Sequence, residues 1–250
     1  MSTSKSKHSD NKYHQLEKLA EYLHFPAAKT GLLELALTHS TFFEGSRHGG
    51  NCSVGDDNQR LEFLGDAVLD LIVGERLYQL YPAAREGELS KMRAYLVCEA
   101  SLAEAAQKLG LDACLRMGRG AEAGGDRHRP SVQADAYEAV TGAIFLAMGY
   151  DKTREFIIDQ LGSAMEKLSP LDYEDKKSLL QEIIQSKAPY GVTYRVLERS
   201  GPDHKPHFRS GVYCGKLLLA EGEGGSKKES EVAAAAKALQ DKENWLDKIG

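Results

Sequence analysis

An all-helical module followed by a small α+β module is the fold this chain predicts. Three observations carry the prediction. From Tyr13 to about Leu168 apolar residues recur at spacings of three and four; after Ser169-Pro170 one helix gives way to three short alternating runs; and a last helix rich in alanine closes the chain. In the first module the spacing predicts helices over Tyr13 to Leu23, Gly31 to Thr38, Gln59 to Leu80, Glu86 to Leu109, Ser131 to Met148 and Lys152 to Leu168. Pro82, Gly110 and Gly149 stand where helices should stop, and Asp57 or Asn58 is suited to cap the third helix. The stretches Glu44 to Asp56 and Gly118 to Pro130 are rich in glycine and charge and read as loops. In the second module Lys177 to Gln185 is amphipathic, with Leu179, Leu180, Ile183 and Ile184 inward. Val192 to Leu197, His207 to Tyr213 and Lys216 to Glu221 read as strands. The final helix, Ser226 to Gln240, offers Val232, Ala235, Ala236 and Leu239 as the face to pack on them.

The 250 residues are 42% apolar and 28% charged, ordinary for a globular protein with a real core. Cys52, Cys98, Cys114 and Cys214 lack any two-residue spacing, which argues against a zinc site or a disulfide framework and fits a reducing cytoplasm. Neither a signal peptide nor an apolar run of about 18 residues is found, so no membrane span is expected. The net charge of −5 counts against nucleic acid when taken alone, because phosphate binding needs lysine and arginine. Its distribution is uneven: residues 1 to 170 hold 19 basic and 24 acidic side chains, residues 171 to 250 hold 13 of each. Any binding must therefore come from local clusters.

Two acidic pairs carry the chemistry. Glu62 and Asp66 lie four residues apart within an apolar helical pattern, and Asp135 and Glu138 lie three apart on a second helix, so each pair projects from one helix face. Carboxylates are costly to bury unless paired or bound to metal, and four oxygen donors on two helices point to Mg²⁺. A solvated surface face is the plain alternative for Glu62 and Asp66. Against it, Leu61, Phe63, Leu64, Ala67 and Val68 leave little polar face, and Gly65 in mid-helix costs roughly 1 kcal/mol relative to alanine unless something approaches closely. For Asp135 and Glu138 the alternative is an acidic first turn that favours the helix dipole. Asp70 reads as structural or exposed, and His39 as a packing or helix-end residue.

The block Asn58-Gln59-Arg60-Leu61-Glu62-Phe63-Leu64-Gly65-Asp66 resembles the signature of the ribonuclease III family. The resemblance continues in Leu37-Thr38-His39-Ser40, in Glu86-Gly87-Glu88-Leu89-Ser90 with Arg93-Ala94, and in Ala134-Asp135-Ala136-Tyr137-Glu138-Ala139 followed by Gly142-Ala143-Ile144-Phe145. It implies an all-α nuclease domain over residues 13–168, behind a flexible tail over 1–12. It further implies Glu62, Asp66, Asp135 and Glu138 as metal ligands, with Asp66 and Glu138 catalytic and Glu138 the least replaceable. Mg²⁺ is the implied cofactor, with Mn²⁺ as a substitute, and paired ions about 3.5–4 Å apart suit phosphodiester hydrolysis. Gln59 departs from the glutamate common there and ranks as a peripheral site residue. Phe63 is implied at the subunit interface of a homodimer, with ordinary core packing as its alternative. Arg93, Arg127 and Arg129 are candidate substrate contacts, the last two from a loop. The implied activity is endonucleolytic cutting of both strands of double-stranded RNA in the cytoplasm. It leaves 5′-phosphate and 3′-hydroxyl ends with short 3′ overhangs, on ribosomal RNA precursors and structured messenger RNAs.

The helix, three-strand, helix order over residues 175–246, after a linker at 169–174, independently resembles a double-stranded-RNA-binding domain. Gly201-Pro202-Asp203-His204 and Lys227-Lys228 fall at that family's contact loops. Lys227 and Lys228 open a helix whose N-terminus also favours phosphate. Gln181, Glu182 and His204 fall where related domains touch minor-groove 2′-hydroxyls across about 16 bp. Ser230 and Glu231 depart from the residues often found after the lysine pair, which implies modest affinity. Two rival readings are an RNA-binding protein without nuclease activity and a helical metal-dependent hydrolase of a small phosphate ester.

Overall fold

The computed structural model describes residues 14–43, 55–173, 175–187, 190–202 and 204–249. The expected tail over 1–12, most of the expected loop Glu44 to Asp56, and Asp203 lie outside them. The chain divides into two compact units between Leu168 and Ser169.

The first unit is helical: α1 (14–22), α2 (Thr30–Ala36), α3 (Gln59–Leu80), α4 (Glu86–Leu96), α5 (Glu99–Lys108), α6 (Leu111–Cys114), α7 (Arg119–Gly124), α8 (Pro130–Met148) and α9 (Tyr150–Glu166). Extended pairing within this unit is limited, among the described residues, to one parallel bridge, Thr38 with Arg116. The core centres on α8, whose Ala136, Tyr137, Ala139, Val140 and Ala143 are fully buried. Leu69, Ile72, Val73 and Leu77 of α3 are buried as completely.

Two expectations need correction here. The single helix expected over Glu86 to Leu109 is two, because Cys98 takes an extended conformation and starts α5. The Ser101 hydroxyl, which donates to the Tyr95 carbonyl at 3.1 Å, satisfies an acceptor exposed at that break. Gly118 to Pro130 is not an open loop either. It folds into α7 and a 3₁₀ turn, Asp126–His128, joined by Gly125 with a left-handed φ of 76°.

In the second unit a short turn, α10 (Pro170–Tyr173), leads to α11 (Lys176–Gln185), β1 (Val192–Ser200), β2 (His207–Cys214), β3 (Leu217–Gly224), α12 (Lys227–Gln240) and α13 (Lys242–Trp245). The strands form an antiparallel sheet in the order β1-β2-β3. Leu180 and Ile184 of α11, Val212 of β2, and Ala234, Ala235 and Ala238 of α12 build its core. The buried stripe of α12 is thus rotated from the expected one: Ser230, Ala234, Ala238 and Leu239 face inward with Ala235, and Val232 and Ala236 are only half-buried. The alanines are required because α12 lies on strand glycines. A Cβ at Gly222 would stand 2.1 Å from the Ala234 nitrogen. The unit also extends past residue 246. Trp245 is buried, donates from Nε1 to the Ala238 carbonyl at 2.7 Å, and joins Ile249 in the core.

Candidate metal centre and RNA-binding surface

The site is created where α3 crosses α8, and two glycines let it form. A Cβ at Gly65 would sit 1.7 Å from the Glu138 carbonyl oxygen, and one at Gly142 would sit 2.3 Å from that of Leu61. Only glycine at both positions allows the backbones this close, which accounts for a residue that otherwise weakens a helix interior. The N-terminus of α3 is secured by Asp57, whose Oδ1 accepts from the Gln59 N–H at 3.2 Å, and by the Asn58 N–H, which donates to the Thr38 carbonyl at 2.9 Å.

This crossing brings Glu62, Asp135 and Glu138 together. Each is half-buried and offers one carboxylate oxygen within 4.8 Å of the others. Asp66, one turn beyond Glu62, is more exposed and lies outside that tight trio. Its charge still reaches the trio. Burial first, then the charges of Asp66, Asp135, Glu62 and Asp70, push the Glu138 carboxyl up to about 8. Burial and the neighbouring Asp135, Asp57 and Asp66 raise Glu62. Burial also raises Asp135, which His39 opposes and Glu99 reinforces. Converging carboxyls of this kind favour protonation until a cation displaces the protons, and the donors are hard oxygens of the type Mg²⁺ and Mn²⁺ prefer. The residues present fit a divalent cation.

Two further residues act on the trio without a motif of their own. Asp57, 8% exposed, adds negative charge at Glu62. His39 is held by Thr41, whose hydroxyl lies 2.9 Å from Nδ1, its backbone N–H donates to the Arg116 carbonyl, and its effect on Asp135 opposes that of burial. His39 meets Asp135 only through the fold, and Asp57, five residues before Glu62, lies off the three- and four-residue spacing that puts side chains on one helix face.

The other candidates have contacts of their own. Phe63 is 79% exposed, which removes the core alternative. With Gln59 it borders an apolar hollow of about 620 Å³ lined by Leu32, Leu35, Leu64 and Leu146. Arg93 pairs with Asp70 at 3.5 Å, and Arg129 with Asp126 at 2.8 Å. Arg127 is not a loop residue awaiting substrate. Its guanidinium binds Glu122 and the carbonyls of Asp112 and Leu115, and its own carbonyl accepts from the buried Gln133 on α8. It is an internal tie because the segment before α8 is folded.

On the second unit, Lys227 and Lys228 are exposed at the start of α12, as is His204 in the β1–β2 loop. Ser226 caps α12 by accepting from the Glu229 N–H at 3.2 Å, and the Glu229 carboxylate accepts from the Gly225 N–H at 2.9 Å. Glu182 is exposed. Gln181 is half-buried, and its carboxamide oxygen accepts from the Val192 N–H at 3.1 Å, tying α11 to β1. Ser230 does not weaken a contact surface as expected. It is fully buried, with its hydroxyl 2.7 Å from that of Ser210.

Comparison with known proteins agrees with this arrangement. A family model described as ribonuclease-III-like matches residues 29–165, and one described as the double-stranded RNA binding motif matches residues 176–242. Ribonuclease 3 of Moorella thermoacetica is 47% identical over 92% of this chain and 97% of its own length. Ribonuclease 3 of Desulforamulus reducens is 48% identical over 90% and 91%. Among solved structures, the nuclease domain of ribonuclease III from Campylobacter jejuni aligns with a TM-score of 0.53 at 37% identity, covering 61% of this chain and 97% of that one.

Proposed function

The chain belongs to the ribonuclease III family and is an endoribonuclease of double-stranded RNA, and from that premise we propose how its residues divide the work. Residues 13–168 form the nuclease domain and residues 175–246, with Ile249 packed into the same core, the RNA-binding domain. Glu62, Asp66, Asp135 and Glu138 would hold divalent cations, directly or through water, with Asp66 contributing from the exposed side. The observation that carries this reading is the convergence of three half-buried carboxylates across a glycine-lined helix crossing. When bound, Mg²⁺ or Mn²⁺ supplies a water that is nucleophilic near neutral pH and neutralises charge on the leaving oxygen. The protein's own part is to present four carboxylates on two rigid helices, to release the Glu138 proton on cation entry, and to keep the site aimed at the duplex backbone. Asp66 and Glu138 are the catalytic residues, Glu138 being the least replaceable. Gln59 stays peripheral.

The RNA-binding domain delivers the duplex, with Lys227 and Lys228 on phosphates and Gln181, Glu182 and His204 at the minor groove. Such a domain reads A-form shape rather than sequence.

One chain supplies one acidic cluster, so cutting both strands calls for a second copy. The exposed stripe Phe63, Leu71 and Tyr78 along α3, beside the Leu32, Leu35 and Leu146 hollow, supports a symmetric homodimer. A further Campylobacter jejuni nuclease-domain structure, 38% identical with a TM-score of 0.51, is described as flexible in the region involved in dimer formation. The products carry 5′-phosphate and 3′-hydroxyl ends with short 3′ overhangs, and the substrates are ribosomal RNA precursors and structured messenger RNAs. The setting is the cytoplasm. Among the described residues no helix is long and apolar enough to cross a membrane. The test is cleavage of a duplex RNA with Mg²⁺ by the parent and by Glu138→Gln. Cutting should vanish while binding is kept; equal cutting by the variant rejects the metal assignment.

A further inference from the structure

We infer that Glu231 is a built-in restraint on duplex-RNA affinity, a single carboxylate that holds two lysines at the α11–α12 end of the RNA-binding domain. The inference rests on the reading of Lys227 and Lys228 as phosphate contacts. Glu231 lies one turn into α12, and its side chain is only 12% exposed. One oxygen stands 2.8 Å from the Lys177 ammonium and the other 3.9 Å from that of Lys227. Lys177 is further held over the Tyr194 ring, 4.3 Å from its centroid. Lys227 is 66% exposed and Lys177 34%, so both cations reach solvent while sharing one counter-charge.

Their electrostatic consequence is direct. Phosphate binding to a lysine gains free energy by releasing condensed counterions from the RNA, and a lysine already neutralised by a neighbouring carboxylate contributes less. An incoming phosphate at Lys227 also meets the repulsion of the Glu231 charge. Because Glu231 is mostly buried, that charge is less screened by solvent and salt than a freely exposed one. Glu229, in the same turn, is turned away to the Gly225 N–H, and Asp175, which caps α11, adds its charge beside Lys177, so Glu231 is the carboxylate that bears on both lysines. The neutral total charge of residues 171 to 250 makes each such pairing count.

The test is binding of full-length protein to a fluorescent RNA duplex of roughly 20 bp, in EDTA so that nothing is cut, across a series of salt concentrations. Glu231→Gln keeps the shape and a hydrogen-bond acceptor for Lys177 but removes the charge. It should bind about three- to tenfold more tightly at moderate salt, with the slope of log affinity against log salt steeper by about one. Glu231→Ala, which removes the charge without adding an amide, should repeat the gain. Thermal melting establishes that each variant is folded. Unchanged or weaker binding by both folded variants overturns the inference. Lys228→Ala, which has no part in the Glu231 pairings, separates the two levels. Loss of binding there with no gain from Glu231→Gln sinks the restraint alone. Unaltered binding by Lys228→Ala sinks the phosphate reading of the helix end, and the restraint with it.

Discussion

Both units use glycine to bring two backbones into contact, and they use the contact for opposite ends. At the α3–α8 crossing Gly65 and Gly142 draw together helices that carry Glu62, Asp135 and Glu138, and the result is concentrated negative charge at a half-buried point. At the β3–α12 contact Gly222 and Gly224 seat an alanine-rich helix on a sheet, and the charged residues Lys227 and Lys228 are left outside at the helix start. The lesson is that close packing is neutral toward function. What matters is whether the side chains beside the glycine point into the crossing, where like charges raise one another's proton affinity, or away from it, where water screens them.

The comparison breaks most sharply at Gly65. Gly65→Ala puts a methyl group where a carbonyl oxygen lies 1.7 Å away, so the helices must part. An ångström of displacement at a reacting centre lowers the rate by about 10²-fold. The change also costs about 1–3 kcal/mol in stability from overpacking. Cleavage rates together with thermal melting check this; wild-type rates would mean that the crossing does not set the carboxylate spacing.

Next is the pH dependence of the cation-free protein. The Glu138 carboxyl is raised from 4.5 to about 8, so between those values the folded state binds more protons than the unfolded one. Stability therefore falls as pH climbs through that window and levels off above it. Melting in EDTA from pH 5 to 9 should show the decline, Glu138→Gln should flatten it, and added Mg²⁺ should stabilise most at the alkaline end. A parallel decline in parent and variant would remove Glu138 as its source.

Arg127→Met then distinguishes a tie from a substrate contact. With the guanidinium's Glu122, Asp112 and Leu115 partners lost, stability should drop by about 3 kcal/mol, read as a lower melting temperature. Duplex affinity of the folded protein should be unchanged, and weakened affinity without destabilisation would restore the substrate role. The smallest effect belongs to the second unit. Ser230→Ala leaves the buried Ser210 hydroxyl without its partner and should cost about 1 kcal/mol, with RNA binding intact. A drop in affinity instead would place Ser230 on the contact surface.

The sequence by itself determined the two modules, the order of their principal helices and strands, and the acidic residues at the α3–α8 crossing. These features are written locally: apolar spacing of 3.6 or 2, proline and glycine stops, and carboxylates three or four apart that must share a helix face. Gly65 was legible as an anomaly, a helix-weakening residue that demanded a close neighbour. Only the tertiary structure supplied that neighbour, the Glu138 carbonyl on α8. Tertiary contacts alone also divided the acidic set into a tight trio with Asp66 outside it, drew Asp57 and His39 toward it, closed Arg127 inside a folded segment, and buried Trp245 and Ser230. Those outcomes depend on which side chains meet across the breaks between elements, and no periodicity within one segment records the identity of a partner in another.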